Sequence, residues 1–194
     1  MNISYKDFGL YNIDTAYLKH LHDNIDSEVR YSDKKAYDRK PFLGLLVVID
    51  AYNYFIPLTS AKPKHAAWKL TSPTHYTIYE TIKAERQRPR DIIKPLPSSD
   101  TEILRLLAIL DIKKMLPVPD GLFHRIDFRQ LEDRAYSILL QKEFRFCLKQ
   151  KKGIIEKAGA IYQEQKETGT VYPMFCNFSA LEACALKYHH QEPE

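Results

Sequence analysis

Thr59, Ser60, Lys62, Lys64 and His65 stand close together in one short segment, and they are the side chains of this chain best suited to act on a phosphodiester. An RNA strand cut by its own 2′-hydroxyl needs no metal and no nucleophile from the protein. It needs cations and hydrogen-bond donors around the phosphorane and groups that move protons. In that chemistry Lys62 supplies charge and Ser60 and Thr59 bind phosphate oxygens, with Ser60 able to relay a proton. Lys64 adds a second cation, and His65 can act as an acid or a base near neutral pH. A plainer reading of the same residues exists. Thr59 and Ser60 also suit an ST-turn or a helix cap, and lysines next to a turn are commonly just solvated. From these residue types alone both readings stay open.

The elements around the segment explain why it should be presented at a surface. Two runs rich in β-branched and aromatic residues, 42–49 and 54–58, flank the polar break Asp50-Ala51-Tyr52-Asn53 and read as a hairpin. Pro57 cannot donate to a central ladder, so it is expected to close the second strand and release residues 59–65 as a loop. Upstream, residues 3–13 suggest a first strand weakened by Gly9. Asp14 or Thr15 then caps a helix carrying Leu18, Leu21 and Ile25. Residues 26–40 read as a polar loop with Tyr31 and Tyr37 among basic residues.

Downstream, residues 75–82 have strand composition, and 83–101 read as an exposed, mobile, basic and proline-rich insert. The run 103–115 is ambiguous between helix and strand by period, with strand favoured for Leu106 to Ile112. Residues 122–128 alternate and could pair back across the Pro117 to Gly121 turn. The last third reads as helical: Arg129 to Lys152 stopped by Gly153, Ile154 to Thr168 stopped by Gly169, and a capping box Ser179 to Glu182 opening a short helix through Lys187.

At 194 residues and 44% hydrophobic composition the chain can fill one core, which points to a single domain over 1–194. A net charge of +4 with 13 tyrosines among 29 lysines and arginines leans toward RNA or DNA. Tyr17, Tyr37 and the face of Trp68 are candidate base platforms. Lys149, Lys151 and Lys152 could hold phosphates, although a basic helix end is favourable for its dipole alone. Cys147, Cys176 and Cys184 form neither a C-x-x-C pair nor a zinc-finger spacing, and their odd number argues against a disulfide framework, so a cytoplasmic setting is expected. Neither a signal peptide nor a membrane-spanning run is expected. G-x-G-x-x-G, G-x-x-x-x-G-K-[ST], H-E-x-x-H and G-x-S-x-G are all absent, which leaves no cofactor and no metal to be expected.

Phe42-Leu43-Gly44 through Pro57-Leu58-Thr59-Ser60-Ala61-Lys62 resembles the ToxN/AbiQ family of endoribonuclease toxins. Three further stretches share the likeness in the same order: Thr15 to Leu21, Leu107 to Pro119, and Cys176-Asn177-Phe178-Ser179-Ala180-Leu181-Glu182. The resemblance implies an α+β fold, a compact, highly twisted antiparallel sheet or barrel like that of the Kid/MazF toxins, surrounded by helices. It implies metal-independent cleavage of RNA, mRNA included, that leaves a 2′,3′-cyclic phosphate and a 5′-hydroxyl. It places catalysis at Ser60, Lys62 and Thr59. It adds Tyr17, Lys40 and, with one residue deleted between it and Lys40, Tyr37 to the RNA-binding set, beside Lys64, His65 and Trp68. It also implies a small, repetitive, pseudoknot-type RNA antitoxin that occupies the same groove and closes with the toxin into a cyclic assembly. Two rival readings remain from the residues alone. One is a non-catalytic RNA-binding module, and the other is a protein-interaction domain whose charge is incidental.

Overall fold

The computed structural model describes residues 3–4, 8–31, 43–50 and 52–188. Two short strands come first, β1 (Ile3–Ser4) and β2 (Leu10–Ile13), followed by α1 (Thr15–Asn24). The central hairpin is β3 (Leu43–Ile49) and β4 (Tyr52–Ser60), and a 3-10 turn, Pro63–Ala67, follows it. Then come β5 (Thr71–Ser72), β6 (His75–Lys83), β7 (Ile92–Pro95), β8 (Glu102–Asp111), β9 (Leu116–Pro117) and β10 (Phe123–Arg125). Three helices complete the chain: α2 (Arg134–Lys149), α3 (Lys151–Thr168) and α4 (Phe178–Tyr188). Among the described residues the ten strands form one antiparallel sheet in the order β10-β2-β3-β4-β8-β6-β5, with β1 on β3, β7 on β8 and β9 on β4. The architecture is the expected α+β.

The hairpin is as expected, but its turn is tighter. Ile49 pairs with Tyr52, and Asp50, directly after β3, takes the left-handed conformation (φ 53°) that a tight turn favours. Pro57 does not close β4. It stands opposite Gly44 of β3, and the next residue, Leu58, pairs instead with Leu110 of β8. A residue without an N–H thus sits where the strand changes partner. Thr59 and Ser60 are therefore the last residues of a strand, held opposite Ile109 and Ala108, and not part of a loop.

The insert also departs from expectation. Residues 84–90 are exposed, but 92–95 form β7 on the edge of β8 that also carries the end of β4. A mobile excursion is replaced by a strand, because Ile92 and Ile93 give it apolar surface to lay down. The first strand is split, with Gly9 between its parts, and residues 123–125 pair with β2 rather than back across the turn.

Gly153 is not a helix stop. It lies inside α3, where a Cβ would overlap the Tyr76 hydroxyl, so its role is close helix–sheet packing. Gly169 does end α3, in the left-handed conformation (φ 67°). At α4 the cap is Asn177, whose Oδ1 accepts from the Ala180 N–H at 3.1 Å, and not Ser179. Glu182 does not reach back to a cap. Its carboxylate is buried and accepts from Tyr54 Oη at 2.7 Å, Tyr162 Oη at 2.8 Å and Lys166 Nζ at 2.6 Å. This ties β4, α3 and α4 together around the Tyr54, Tyr162 and Phe178 rings.

In α2, Glu143 is buried and desolvation alone pushes its carboxyl up to about 7. The folded state then keeps a proton that the unfolded chain releases from about pH 4.5 upward, so stability falls between pH 4.5 and 7 and levels off above. Glu143→Gln is expected to raise unfolding free energy near pH 8 by about 3 kcal/mol and to change little near pH 4. Denaturant midpoints at both pH values check this, and an equal shift at both would contradict it.

Candidate active site at the end of β4

Ser60, Lys62 and Lys64 are exposed, Thr59 and Trp68 are half-buried, and His65 is buried; all lie on the stretch where β4 runs into the 3-10 turn. Ladder pairing places Thr59 on the same face as Ile109 and Thr77, and Ser60 on the opposite face with Ala108 and Ile78. The backbone of the turn is fixed at both ends. Ala61 N–H donates to the Leu107 carbonyl at 3.0 Å, and His65 N–H to the Lys62 carbonyl at 2.8 Å.

The His65 side chain closes the reciprocal contact. Its Nδ1 lies 2.9 Å from the Lys62 N–H and accepts from it, so a neutral ring carries its hydrogen on Nε2. Burial, and then Lys64, Lys62, Arg30 and His75, hold its pKa below the ordinary histidine value. With its Nδ1 lone pair engaged, His65 is a spacer that fixes Lys62 rather than a free base. The turn is propped from outside by an aromatic row: the His65 and Trp68 rings are 4.6 Å apart, and Trp68 and His75 are 4.9 Å apart. His75 is held in turn by Ser72 Oγ at 2.7 Å and the Lys69 carbonyl at 3.1 Å.

Residues that the sequence did not single out complete the site. Lys94, from the β7 insert, donates to the carbonyls of Ala66 (2.8 Å) and Trp68 (2.9 Å), the far end of the turn. Arg30 enters from the polar loop after α1, its Nη2 bound at 2.6 Å to the buried Asp111, which also takes Lys113 Nζ at 2.8 Å. The same loop is pinned by the Asn177 N–H on Asp26 (2.7 Å) and by Lys114 on the Glu28 carbonyl (3.0 Å) and carboxylate. Lys62, Lys64 and Arg30 thus crowd positive charge around the end of β4. Nothing in the local sequence marks Arg30 or Lys94, because their role comes from strand pairing and from a buried aspartate 81 residues away from Arg30. Asp111, an acid closing an apolar run, was the one legible signal.

Lys94→Met, which keeps the aliphatic stem and removes the donor, is expected to slow turnover about tenfold with a stability loss of about 1–2 kcal/mol. Single-turnover rates and thermal midpoints measured together check this. A stability loss with no rate effect would contradict the propping role.

Other expected RNA contacts are placed elsewhere. Tyr17 is corrected: its ring has no exposed surface, its hydroxyl donates to the Pro117 carbonyl at 2.9 Å, and it packs edge-on against Tyr188. Such a ring is core and has no free face for a base. Tyr37 and Lys40 lie outside the described residues. Trp68 is exposed in part, but His65, His75 and Lys64 Nζ, 6.0 Å from its centroid, already surround it.

The family profile of the toxin ToxN of type III toxin–antitoxin systems matches residues 9–186. The chain is 25% identical over 176 residues to the endoribonuclease ToxN of Pectobacterium atrosepticum, covering 89% of this chain and 88% of that one. It is 21% identical over 191 residues to the endoribonuclease ToxN of Bacillus thuringiensis subsp. kurstaki, covering 94% and 84%. In fold it is similar to the lactococcal anti-phage endoribonuclease AbiQ of a type III system (TM-score 0.63, 21% identity, 95% and 99% covered). It is also similar to a structure from a bacterial type III system in which a non-coding RNA pseudoknot selectively inhibits the toxin (TM-score 0.69, 19% identity, 94% and 98% covered). Matched from residue 9 to residue 186, the chain belongs to the ToxN family of type III toxin–antitoxin toxins.

Proposed function

We propose that this endoribonuclease toxin cuts RNA by attack of the 2′-oxygen on the adjacent phosphorus, at the end of β4. The P–O5′ bond breaks, and the products are a 2′,3′-cyclic phosphate and a 5′-hydroxyl. The 2′-hydroxyl loses a proton and the departing 5′-oxygen gains one. The observation that carries this reading is the pinned strand end, with Ser60 and Lys62 exposed on a backbone fixed by Leu107 and His65 and with Lys64 and Arg30 beside it.

In this reading Lys62 offsets charge on the phosphorane and the Ser60 hydroxyl, two residues before it, orients the phosphate, while Thr59, on the other face of β4, does not share that phosphate. A donor held before the substrate arrives needs no reorganisation during the step. The inhibiting partner is a pseudoknot-type RNA antitoxin that covers the same positive surface, and the two close into a cyclic protein–RNA assembly. The Pectobacterium and Bacillus relatives, both endoribonucleases, support RNA as substrate.

The test is an incubation of purified, nucleic-acid-free protein with RNA in excess EDTA, with both ends of every fragment mapped. Cyclic-phosphate and 5′-hydroxyl ends that disappear in Ser60→Ala are expected. Bound but intact RNA would favour a binding module instead.

A further inference from the structure

A cleft of about 360 Å³ opens between β6 and the C-terminal half of α2 and plays no part in the site described above. Such a volume falls within the range of about 300–1,000 Å³ typical of ligand pockets. It is lined by Tyr79, Glu80 and Thr81 of β6 and by Lys142, Arg145, Phe146 and Lys149 of α2. Its composition has two parts, a pair of rings and a set of cations. The Tyr79 and Phe146 rings meet edge to face at 5.3 Å and stay half-buried. Lys142, Arg145 and Lys149 recur at helical spacing along one side of α2.

The one acid in the lining, Glu80, does not neutralise that set. Glu80 is bound to Arg105, at 2.9 Å from its Nε, and to Lys142 at 2.7 Å, and Arg105 also reaches Asp91 at 3.4 Å. Among the described residues Arg145 and Lys149 have no carboxylate partner, and both are exposed. Gln150, also lining the cleft, is the N-cap of the 18-residue α3. It is also the C-cap of α2, so the negative end of α2 and the positive end of α3 meet there and the field at the cleft comes from the side-chain cations.

The cleft is also placed within reach of the cleavage site. Ser60 pairs with Ala108 and Ala108 with Ile78, so two strand spacings of about 4.8 Å separate Ser60 from the residue next to Tyr79. Tyr76, two residues before Ile78, packs against Gly153 of α3, which puts Ser60 and Ile78 on the helix-covered side of the sheet, and Glu80, two residues further along that face of β6, borders the cleft.

We infer that this cleft is a second RNA subsite, taking a single-stranded nucleotide flanking the cut. The base lies against Phe146 and Tyr79, and the neighbouring phosphates pair with Arg145 and Lys149. This rests on the reading of the chain as an RNA-cutting toxin, since aromatic floor and paired cations would otherwise suit other anions.

The experiment uses the full chain and two RNAs. Affinity is read with a mixed-sequence 2′-O-methyl RNA of about 30 nucleotides, which cannot be cut, across a salt series. Rate is read with a cleavable RNA of about 2 nucleotides that spans only a mapped cut and has no flanking nucleotide to place in the cleft. Arg145→Ala/Lys149→Ala is expected to weaken the long RNA about tenfold and to make the salt slope shallower by about 1.4, while the short RNA is cut at the wild-type rate. Phe146→Leu, which keeps apolar volume, is expected to cost a further several-fold in affinity with its thermal midpoint retained. Charge removed in the same number from Arg134 and Lys187 is the control.

Unchanged affinity and slope in Arg145→Ala/Lys149→Ala would overturn the subsite, and so would an equal loss in the control. Failure of the wild-type chain to cut any RNA would overturn the functional reading instead, while the affinity series still decides whether the cleft holds RNA. An antitoxin source is told from a substrate source by repeating the series with RNA that copurifies with the chain. Loss confined to that RNA assigns the cleft to the antitoxin and overturns a substrate-flank role.

Discussion

Lys62→Ala is expected to lower the single-turnover cleavage rate roughly 100- to 1,000-fold, the range typical for loss of one preorganised group that stabilises charge in a transition state. Thermal stability should hardly change, because Lys62 is exposed and its structural contacts use its backbone: the N–H to His65 Nδ1 and the carbonyl to the His65 N–H. Both survive in alanine. Lys62→Arg should recover part of the rate, since a guanidinium keeps the charge but places it differently. A rate within a few-fold of wild type in Lys62→Ala would remove this residue from the reaction. A rate loss accompanied by a large fall in thermal midpoint would mean that the turn, and not the charge, had been broken.

The largest expected effect on stability comes from the other end of the same strand. Glu182→Ala removes the common acceptor of the buried Tyr54 and Tyr162 hydroxyls and the partner of Lys166. Leaving a buried donor unpaired costs about 1–3 kcal/mol for each phenol, so a total near 4 kcal/mol is expected, a large part of a small domain's stability. The Tyr54→Phe/Tyr162→Phe/Glu182→Leu variant, which removes donors and acceptor together, should be markedly more stable than Glu182→Ala. Equal stabilities of the two would show that lost packing, and not the orphaned hydroxyls, carries the cost. Because β4 bears Tyr54 near one end and Ser60 at the other, marginal unfolding of Glu182→Ala should also lower activity.

What the sequence made legible follows from local chemistry. The 42–58 hairpin, the strand at 75–82, the α1 cap at Asp14 and the stop at Gly169 depend on β-branched content, a capping carboxylate and a left-handed glycine, all visible in a short window. The clustering of Thr59, Ser60, Lys62, Lys64 and His65 was legible because they are neighbours in the chain.

What failed depends on partners distant in sequence. Pro57 looked like a strand end because nothing local shows that β4 exchanges β3 for β8 there. Gly153 looked like a helix stop because the Tyr76 hydroxyl that demands its missing Cβ is in β6. Tyr17 looked available to RNA because a helix tyrosine reads the same whether its hydroxyl meets solvent or, as here, the Pro117 carbonyl. The role of residues 92–95 in holding the Pro63–Ala67 turn, through Lys94, was hidden by the charged, proline-rich stretch around them.

The most direct measurement of the central claim uses an RNA with one 2′-deoxy sugar at a mapped cut, on the 5′ side of the scissile phosphate, compared with the all-ribose strand. Intramolecular attack predicts that cleavage at that bond disappears while other cuts in the same molecule continue at their normal rate. Cleavage at the deoxy position would show that water or a protein group is the nucleophile, and the account of the β4 strand end as a site of 2′-hydroxyl transesterification would be wrong.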